Sequence, residues 1–554
     1  MPSPIGFLST VLACAVLANC LTPAEWRRQS IYQVMTDRFA RSDGSTTASC
    51  DLDEYCGGTW IGLINQLDYI QQMGFTAVWI SPIVKNKVQS SEDGNSYHGY
   101  WAQDLYSVNS QFGTEEDLKA LSDELHKRGM YLMVDVVPNH MASFSSQTTV
   151  DYSQFNPFNK KSYFHTPCEI DYDDINSVEY CWMGSNTVSL PDLRTEDSVV
   201  ANMWYQWISQ IVSRYSIDGL RIDTAYEVSP RFWAGFQAAA GGIHVLGEVW
   251  HGNPNVLCPY QNYLTGLMNY AAYYWIIETF QDPSSSSSSS TTTSSTSSST
   301  SMTRLANNIR WLQSTCPDTS LMGIFTENHD NPRLPSLFTS NNNNNNNTLT
   351  RIQNALTFQF LSDGIPILYQ GQEQFFTGSS VPENRQALWL TGFERNTELY
   401  RHVQKLNQIR SWAIFQAPAS SSSSYASSSG NDNENENESY LLSPSIPTPL
   451  TEQILSLRKG PVGKQIVCIL NNLNNLPIKS SSSDDDDDDD SSTTTITLSS
   501  TASGFTPEMS LMEIFSCQIF KTDSRGNLGV TVTAGRVLVF YPRGKIEGSG
   551  VCGF

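Results

Sequence analysis

The stretch "GLRIDTAYE", residues 219–227, opens as a buried strand and ends in ionisable side chains. Arg221 and Asp223 stand two residues apart, so in an extended strand both side chains leave the same face. A guanidinium beside a carboxylate keeps it ionised and fixes its orientation. The pattern therefore predicts an apolar strand that delivers a charged pair to a site at its carboxyl end.

Further apolar runs have the same character and are separated by helical or loop segments. They include "TAVWISPI" (76–83), "MYLMVDVV" (130–137), "IHVLGEV" (243–249), "LMGIFTEN" (321–328) and "IPILYQG" (365–371). Between them lie amphipathic stretches such as 114–129, which ends in a glycine. Near-continuous apolar strands that alternate with helices are typical of a parallel sheet. With roughly eight such units over some 350 residues, the expected fold is α/β, a (β/α)8 TIM barrel.

Two intervals lack this alternation of strands and helices. Between Met141 and Arg194 the chain is loop-like, aromatic and acidic, with no strong strand pattern. So long an excursion after a strand is usually a functional insertion. After about residue 415 short β-like runs such as "KQIVCILNN" and "GRVLVFYP" dominate, and they predict a separate antiparallel β domain.

Composition and charge narrow the class of partner. The chain of 554 residues has a formal net charge of −22, and seven of the negative charges form the run 484–490. Such an acidic surface argues against nucleic acid or an anionic membrane as the partner. An apolar stretch at 5–21 predicts a secretory signal peptide over residues 1–21, with a buried N-terminal helix as the alternative. We expect a secreted protein that acts on a neutral substrate, with no membrane span.

The cysteines suggest disulfides rather than a metal cluster. Two of the eleven, Cys14 and Cys20, fall in the predicted signal. Short loops favour local bridges, while the pairing of the more distant cysteines stays open. The local candidates are Cys50 with Cys56 and Cys168 with Cys181, and the longer closures involve Cys258, Cys316, Cys517 and Cys552. Cys468, in an apolar run, is expected to be a buried strand thiol.

Low-complexity tracts interrupt the chain. They occupy 284–301, 341–347, 419–439 and 480–494. Tracts of this kind bury too little apolar area to offset their ordering entropy, so we expect disordered surface loops. Two N-x-S/T sequons, at Asn346 and Asn437, fall inside them and are either glycan sites or unused polar spacer.

Ionisable residues follow four of the predicted strands. In a parallel barrel the carboxyl ends of all strands open on one face, so these groups should converge. A single acid at a strand end is more often a cap or a salt-bridge partner, but four such ends in one chain argue against that reading. The groups are Asp135 with His140, Arg221 with Asp223, Glu248, and His329 with Asp330.

Three carboxylates around one pocket suit glycosidic chemistry. A retaining mechanism needs an ionised nucleophile and a protonated acid, about 5–5.5 Å apart, with pKa values held apart by their surroundings. Arg221 would keep Asp223 ionised, and the apolar setting "VLGEVW" would raise the pKa of Glu248. Asp330 could then bind sugar hydroxyls and stabilise an oxocarbenium-like transition state.

Four short segments carry a resemblance to a known family. In order, "DVVPNH", "GLRIDTAYE", "GEVW" and "FTENHD" resemble the four motifs of the α-amylase family of glycoside hydrolases. The stretches "YCGGTW", "SYHGYWAQDLYS", "NTVSLPDL" and "DGIPILYQGQEQ" are similar to secreted fungal α-amylases of the TAKA-amylase type. The resemblance runs from about residue 22 to the C-terminus, interrupted mainly by the low-complexity tracts.

The resemblance implies a role for each matching residue. Asp223 would be the nucleophile, Glu248 the acid/base and Asp330 the stabiliser of the transition state. It further implies sugar contacts by a second set of residues, with Trp101 stacking on a glucose ring. That set is Tyr100, Trp101, His140, Arg221, His329 and Arg385.

The resemblance also implies a calcium ion and three domains. The ion would be held by side-chain oxygens of Asn139, Glu179 and Asp192 and by the backbone carbonyl of Glu227, all hard donors that suit Ca²⁺. For Glu179 the alternative is a solvated acid beside Cys181. The barrel, domain A, would span 22–140 and 194–415, domain B 141–193, and a β-sandwich domain C 416–554.

Two positions depart from the family pattern and keep other functions open. Tyr226-Glu227 stands where Lys-His is usual, which changes the hydrogen-bond donors on the leaving-group side. Val381 stands where an aspartate is usual. The first alternative is therefore an α-glucanotransferase, and the second is a non-catalytic glucan-binding homologue. In each case we expect a monomer whose partner is an α-1,4-glucan such as starch, glycogen or a malto-oligosaccharide.

Overall fold

The computed structural model describes residues 21–87, 90–281, 301–338, 345–417, 439–473 and 493–554. Residues 1–20 of the predicted signal segment, Asn437 and most of each low-complexity tract lie outside these residues. Of Asn346, only the helical backbone is described. The expected signal peptide and glycan sites therefore stay predictions. The expectation of disordered loops is wrong at the ends of two tracts, since 345–347 begin a helix and 493–494 begin a strand, and it stays a prediction elsewhere.

Eight parallel strands form the barrel predicted from the sequence. Strands β1 to β6 are neighbours in chain order, and β8 lies between β1 and β7. A parallel bridge from Met268, just after β6, to Gly323 in β7 closes the circle. The strands are β1 (Ile31–Val34), β2 (Ala77–Ile80), β3 (Tyr131–Val136), β4 (Gly219–Ile222), β5 (His244–Gly247), β6 (Gly266–Leu267), β7 (Gly323–Ile324) and β8 (Ile365–Tyr369).

The position of β4 depends on a close contact at its amino end. All four residues of β4 are buried. A Cβ atom on Gly219 would lie 2.5 Å from the ring of Trp26, so only glycine lets the strand approach the indole. The indole Nε1 of Trp26 donates to the carbonyl of Asp218 at 3.1 Å. This contact fixes where β4 begins and therefore where Arg221 and Asp223 emerge.

Helices cover the outside of the barrel. The predicted helix at 114–129 is observed as Glu115–Lys127, with Thr114 and Asp117 forming a capping box at its start. No helix among the described residues is long and apolar enough to cross a bilayer. The other helices of eight or more residues are Ser198–Tyr215, Pro230–Ala239, Tyr270–Phe280, Met302–Thr315, Asn345–Leu361 and Glu398–Gln416. The shorter α-helices are Pro23–Trp26, Thr36–Phe39, Trp60–Asn65, Leu67–Gln72, Ile175–Tyr180, Pro254–Leu257, Leu334–Phe338 and Ser500–Ser503.

The excursion after β3 is mostly irregular, as its sequence indicates. It contains the short helix Ile175–Tyr180 and the two-residue strands Met183–Gly184 and Ser189–Leu190, which pair antiparallel. An antiparallel bridge between His140 and Asp192 ties its far end back to the end of β3. A hairpin of Val84–Asn86 with Ala102–Val108 lies outside the barrel sheet. The inserted loops are thus anchored where the charged side chains emerge.

The C-terminal part folds as two antiparallel sheets with a core of their own. Apolar side chains of both sheets, among them Val467, Phe540 and Val530, share one buried cluster, as in a β-sandwich. A buried ion pair of 2.6 Å between Lys459 and Asp363 joins this part to the barrel. The six-stranded sheet has Ile446–Pro449, Ile454–Lys459, Ile466–Asn471, Leu538–Pro542, Ser510–Glu513 and Ile519–Lys521, and the second sheet pairs Thr493–Leu498 with Leu528–Thr533.

Four disulfides form among the described residues, and they determine the cysteine pairing that the sequence spacing left open. Both local bridges form as expected, and the distant cysteines pair as Cys258–Cys316 and Cys517–Cys552. Cys468 is a free, buried thiol in a strand, as predicted, and burial raises its pKa.

Candidate active site

A cleft of about 850 Å³ lies over the carboxyl ends of the barrel strands. Most of the residues predicted to act on the sugar line it, and the buried Arg221 lies beneath them. The structure therefore brings the dispersed strand-end groups together, as the parallel topology requires. The predicted residues on its wall are Tyr100, Trp101, His140, Asp223, Glu227, Glu248, His329, Asp330 and Arg385.

The guanidinium of Arg221 is the centre of the charged groups. Its Nη1 donates to Asp223 Oδ1 at 2.7 Å, and its Nη2 lies 2.7 Å from Glu248 Oε1. Nη1 also contacts both carboxylate oxygens of Asp135 at 3.1 Å. One cation from β4 thus joins carboxyl groups from β3, from the end of β4 and from the end of β5. Three buried acids on one cation cannot all be ionised at low cost.

Glu248 is held as an acid by its surroundings. Burial raises its pKa to about 8, the charges of Asp223 and Asp330 add to that rise, and Arg221 opposes it. The backbone N–H of Thr224 donates to its Oε2 at 3.0 Å, and the hydroxyl of Tyr270 lies 3.1 Å from its Oε1. At neutral pH this carboxyl therefore carries a proton in a fixed orientation.

Asp135 is a fourth acid, which the sequence placed at a strand end without giving it a role. Burial raises its pKa to about 7, with Arg221 opposing the rise. It accepts hydrogen bonds from the hydroxyl of Tyr100 at 2.8 Å and from the indole of Trp79 at 3.1 Å. The acid therefore positions Tyr100 and Arg221 from below the cleft.

Asp330 lies on the opposite wall, and its side chain is 26% exposed. Arg385 donates to its Oδ1 at 3.1 Å, and Nε2 of His329 lies 3.1 Å from its Oδ2. Arg385 also donates through Nε to the carbonyl of His329 at 2.9 Å, which fixes this turn. The exposed carboxylate is thus held facing the cleft.

Aromatic and imidazole rings complete the wall of the cleft. The rings of Tyr100 and His329 stack with centroids 5.0 Å apart, and Trp101 contacts His98 edge to face at 4.6 Å. His140 Nε2 lies 3.3 Å from the carbonyl of Tyr100. Burial lowers the pKa of both His140 and His329. The two imidazoles are therefore neutral at pH 7 and suited to hydrogen bonding with hydroxyl groups.

Sequence reasoning missed the aromatic group beside Glu248. Trp250 is 43% exposed on the cleft wall, and its ring stacks on Tyr270 with centroids 5.1 Å apart. Its Nε1 donates to the hydroxyl of Tyr274 at 2.7 Å. An exposed tryptophan two residues after a predicted acid, in "GEVW", was the available signal. The stacked rings give the wall next to Glu248 a rigid flat face.

The residues that depart from the family pattern also face this cleft. Tyr226 and Glu227 line it, and burial raises the pKa of Glu227 to about 8. Val381 lines it with 48% of its surface exposed. A phenol, a carboxyl and an apolar side chain therefore replace the charged contacts that the resemblance would have supplied.

Two of the predicted calcium ligands, Asn139 and Asp192, lie at the junction of the barrel with the inserted loops. Asp192 is buried, and its Oδ1 has no hydrogen-bond partner among the described residues, while Oδ2 lies 2.5 Å from His165 Nδ1. Asn139, also buried, accepts at its carbonyl from the N–H of Leu193. An unpartnered carboxylate oxygen in this setting fits a hard cation.

Glu179 gives less support for a cation site than Asp192 does. Glu179 is half-buried, and burial raises its pKa while Ser229 and Arg231 lower it. In the described part of the chain, no three His, Cys, Asp or Glu side chains are grouped so that they could hold a metal ion. A cation here would depend on an amide oxygen and a backbone carbonyl besides carboxylates.

Comparisons with known proteins agree with the motifs. The family model for the alpha-amylase catalytic domain matches residues 33–434, and the model for alpha-amylase domain C matches 450–554. "Alpha-amylase 2" of Schwanniomyces occidentalis is 43% identical over 540 residues, which are 97% of this chain and 94% of that protein. The alpha-amylase of Saccharomycopsis fibuligera is 41% identical over 521 residues, 94% of this chain and 92% of that one. The solved structure of an alpha-amylase from Malbranchea cinnamomea superposes with a TM-score of 0.82 at 42% identity, covering 96% of this chain and 100% of that one.

The shared cation gives a direct prediction about stability. Arg221→Met leaves buried carboxylates without a counter-charge, so we expect the free energy of unfolding at pH 7 to fall by about 3–5 kcal/mol. At pH 5 part of that loss should return, because the folded variant then binds protons that the unfolded chain, with ordinary carboxyl pKa values, does not. Denaturant unfolding of both proteins at the two pH values measures this. An equal loss at pH 5 and pH 7 would contradict it.

Proposed function

The chain belongs to the alpha-amylase family of glycoside hydrolases, and on that premise we propose that it is a calcium-dependent, retaining endo-hydrolase of α-1,4-glucans such as starch and glycogen. The observation that carries the proposal is the meeting of Asp223, Glu248 and Asp330 in one cleft. Arg221 contacts the first two of these acids at once. Acids that share one guanidinium are close together, as a retaining pair at about 5–5.5 Å must be.

In the first step of this mechanism Asp223 attacks the anomeric carbon and Glu248 protonates the leaving oxygen. Arg221 and the hydroxyl of Thr224, which lies 3.1 Å from Asp223 Oδ2, orient the nucleophile. The glycosidic bond breaks as the ester bond to Asp223 forms, and the released chain takes the proton of Glu248. In the second step Glu248, now a carboxylate, takes a proton from water, and the hydroxide attacks the anomeric carbon and frees Asp223.

The opposite wall supports the charge that develops on the sugar. Asp330 is held toward the cleft by Arg385 and His329, so its carboxylate can bind two sugar hydroxyls and stabilise an oxocarbenium-like transition state. Neutral His140 and His329 can hydrogen-bond hydroxyls without adding positive charge beside the developing cation. The flat face of Trp101 can stack on a glucose ring at the edge of the cleft.

We assign the calcium ion to Asn139, Glu179, Asp192 and the carbonyl of Glu227. The ion would neutralise the buried carboxylate of Asp192 and supply no chemistry to the reaction itself. The residues 139–141 and 191–193 already pair across the junction, so their order determines how the inserted loops shape the cleft.

We also propose that the protein is exported. Four disulfides favour an oxidising compartment. Stretches such as "YCGGTW" and "NTVSLPDL" also resemble secreted fungal α-amylases. A signal peptide over residues 1–21 fits this placement.

The replaced residues on the leaving-group side favour a second candidate, an α-glucanotransferase. Tyr226 and Trp250 offer aromatic surface where an incoming sugar would lie, and bound sugar can compete with water for the glycosyl enzyme. Incubation with maltopentaose, followed by separation of products by length, distinguishes the functions. We expect only shorter sugars, and none with Asp223→Asn. Longer products would identify a transferase, and an unchanged substrate would identify a binding protein.

The pKa of Glu248 predicts the alkaline limit of activity. The proton that Glu248 donates is lost as pH rises through about 8, so kcat/KM, which reports the free enzyme, should fall about tenfold per pH unit above that value. Steady-state hydrolysis of maltopentaose from pH 6 to 10 measures it. Glu227→Gln is the matched control, because burial raises the pKa of Glu227 to about 8 as well. If this variant loses the alkaline limit, Glu248 is not the group that sets it.

Removal of calcium should destabilise the protein through Asp192. A ligand at 100 times its dissociation constant stabilises the folded state by about 2.7 kcal/mol, so excess chelator should lower Tm by several degrees. Asp192→Asn should have a low Tm that chelator does not change further. Asp93→Asn is a control on the same side of the molecule, since Asp93 accepts from Ser185 and Thr187 of the inserted loops. A wild-type Tm that is the same with and without chelator would contradict the calcium site.

A further inference from the structure

A second groove, of about 630 Å³, lies along the outer face of the helix Glu398–Gln416. The helix follows β8, and Arg410 near its end donates to the carbonyls of Arg27 and Arg28, which precede β1. Gly74, on the groove wall, stands just before β2. The groove is therefore at the amino ends of the barrel strands, on the face opposite the catalytic cleft.

The lining of this groove selects against ionic ligands. None of the described residues that line it carries a charged side chain. The wall consists of amides, hydroxyls and two aromatic rings, chiefly those of Gln72, Gln404, Gln408, Ser411, Trp412 and Phe415. The chain as a whole carries a net charge of −22, which further disfavours an anion. A neutral ligand rich in hydroxyl groups matches these walls.

The aromatic part of the groove is exposed and held in place. The rings of Trp412 and Phe415 stack with centroids 5.2 Å apart at 29°, and Phe415 is 70% exposed. The indole Nε1 of Trp412 donates to the carbonyl of Lys545 at 2.7 Å. Gly548 has φ +87°, and a Cβ atom there would lie 3.1 Å from the indole, so the C-terminal segment packs closely against it. The indole therefore backs the phenyl ring of Phe415, and the exposed face of that ring needs no reorganisation to receive a sugar ring.

Amide groups stand beside these rings in fixed positions. Gln404 donates to the carbonyl of Gln72 at 2.8 Å, and Gln408 donates to the carbonyl of Ser549 at 3.1 Å. Gln408 is one helical turn before Trp412 and Gln404 is two turns before it, on the same side of the helix. An apolar face with amides at its edge is complementary to a pyranose, which has an apolar C–H face and a rim of hydroxyls.

We propose that this groove is a second glucan-binding site, which holds a segment of α-1,4-glucan on Trp412 and Phe415 away from the catalytic cleft. The proposal rests on the proposed function for the identity of the sugar. A long or particulate glucan can be held at both faces of the enzyme, whereas a short oligosaccharide in the cleft gains nothing from the groove. Its contribution should therefore depend on the size of the substrate.

The test compares binding to starch granules with turnover of maltopentaose. Sedimentation of full-length Asp223→Asn protein with granules measures binding while hydrolysis is blocked. Adding Phe415→Ala should weaken granule binding roughly three- to tenfold, the range of one aromatic stacking contact. Phe415→Leu keeps the apolar volume without the flat face and should weaken it too, while Phe415→Tyr should not. Trp311→Leu, at another partly exposed aromatic residue on a barrel helix, is the matched control.

With Asp223 intact, the Phe415 variants should hydrolyse maltopentaose at the wild-type kcat/KM. Granule binding that is the same in wild type and Phe415→Ala would overturn the proposal, as would an equal loss in Trp311→Leu. A loss in Phe415→Ala that Phe415→Leu does not share would overturn it as well. If the wild type does not cleave maltopentaose, the proposed hydrolase activity is wrong. The effect of the Phe415 variants on granule binding still tests the second binding site in that case.

Discussion

The sharing of one buried guanidinium by three carboxyl groups is the constraint on which the site depends. Arg221 lies at the point where β3, β4 and β5 end side by side, and it contacts an acid from each. One positive charge cannot balance three negative charges in a dry site, so protons must make up the difference. The chemistry then follows from which acids hold those protons.

Burial determines which of these acids hold a proton. Glu248 and Asp135 are enclosed by protein, and burial raises the pKa of each toward neutrality or above despite the arginine. Asp223 has the shortest contact from Nη1 of Arg221 and a further hydroxyl donor in Thr224. Glu248 therefore keeps a proton, while Asp223 lies against the cation and a hydroxyl donor, so the protein gives two chemically similar side chains different surroundings.

The inserted loops, the aromatic residues and the C-terminal segment shape the surfaces around this arrangement. The inserted loops return to the end of β3 and line one side of the cleft, while Trp250 stacks on the tyrosine that contacts Glu248. On the far face, the C-terminal segment packs on Trp412 and completes a second aromatic surface. The molecule thus has two grooves of different character, one lined by acids and the other uncharged and aromatic.

The sequence by itself determined the barrel, the order of its long strands and the acids at their ends, because apolar runs and motifs are local patterns. It did not locate β1 or β6, because polar residues lie close on either side of each and neither lies in a long apolar run. The Cys258–Cys316 pairing, the role of Asp135 and the groove beside Phe415 were likewise decided by tertiary structure. Each depends on groups distant in the chain, and so does burial, which sets the pKa values on which the reaction relies.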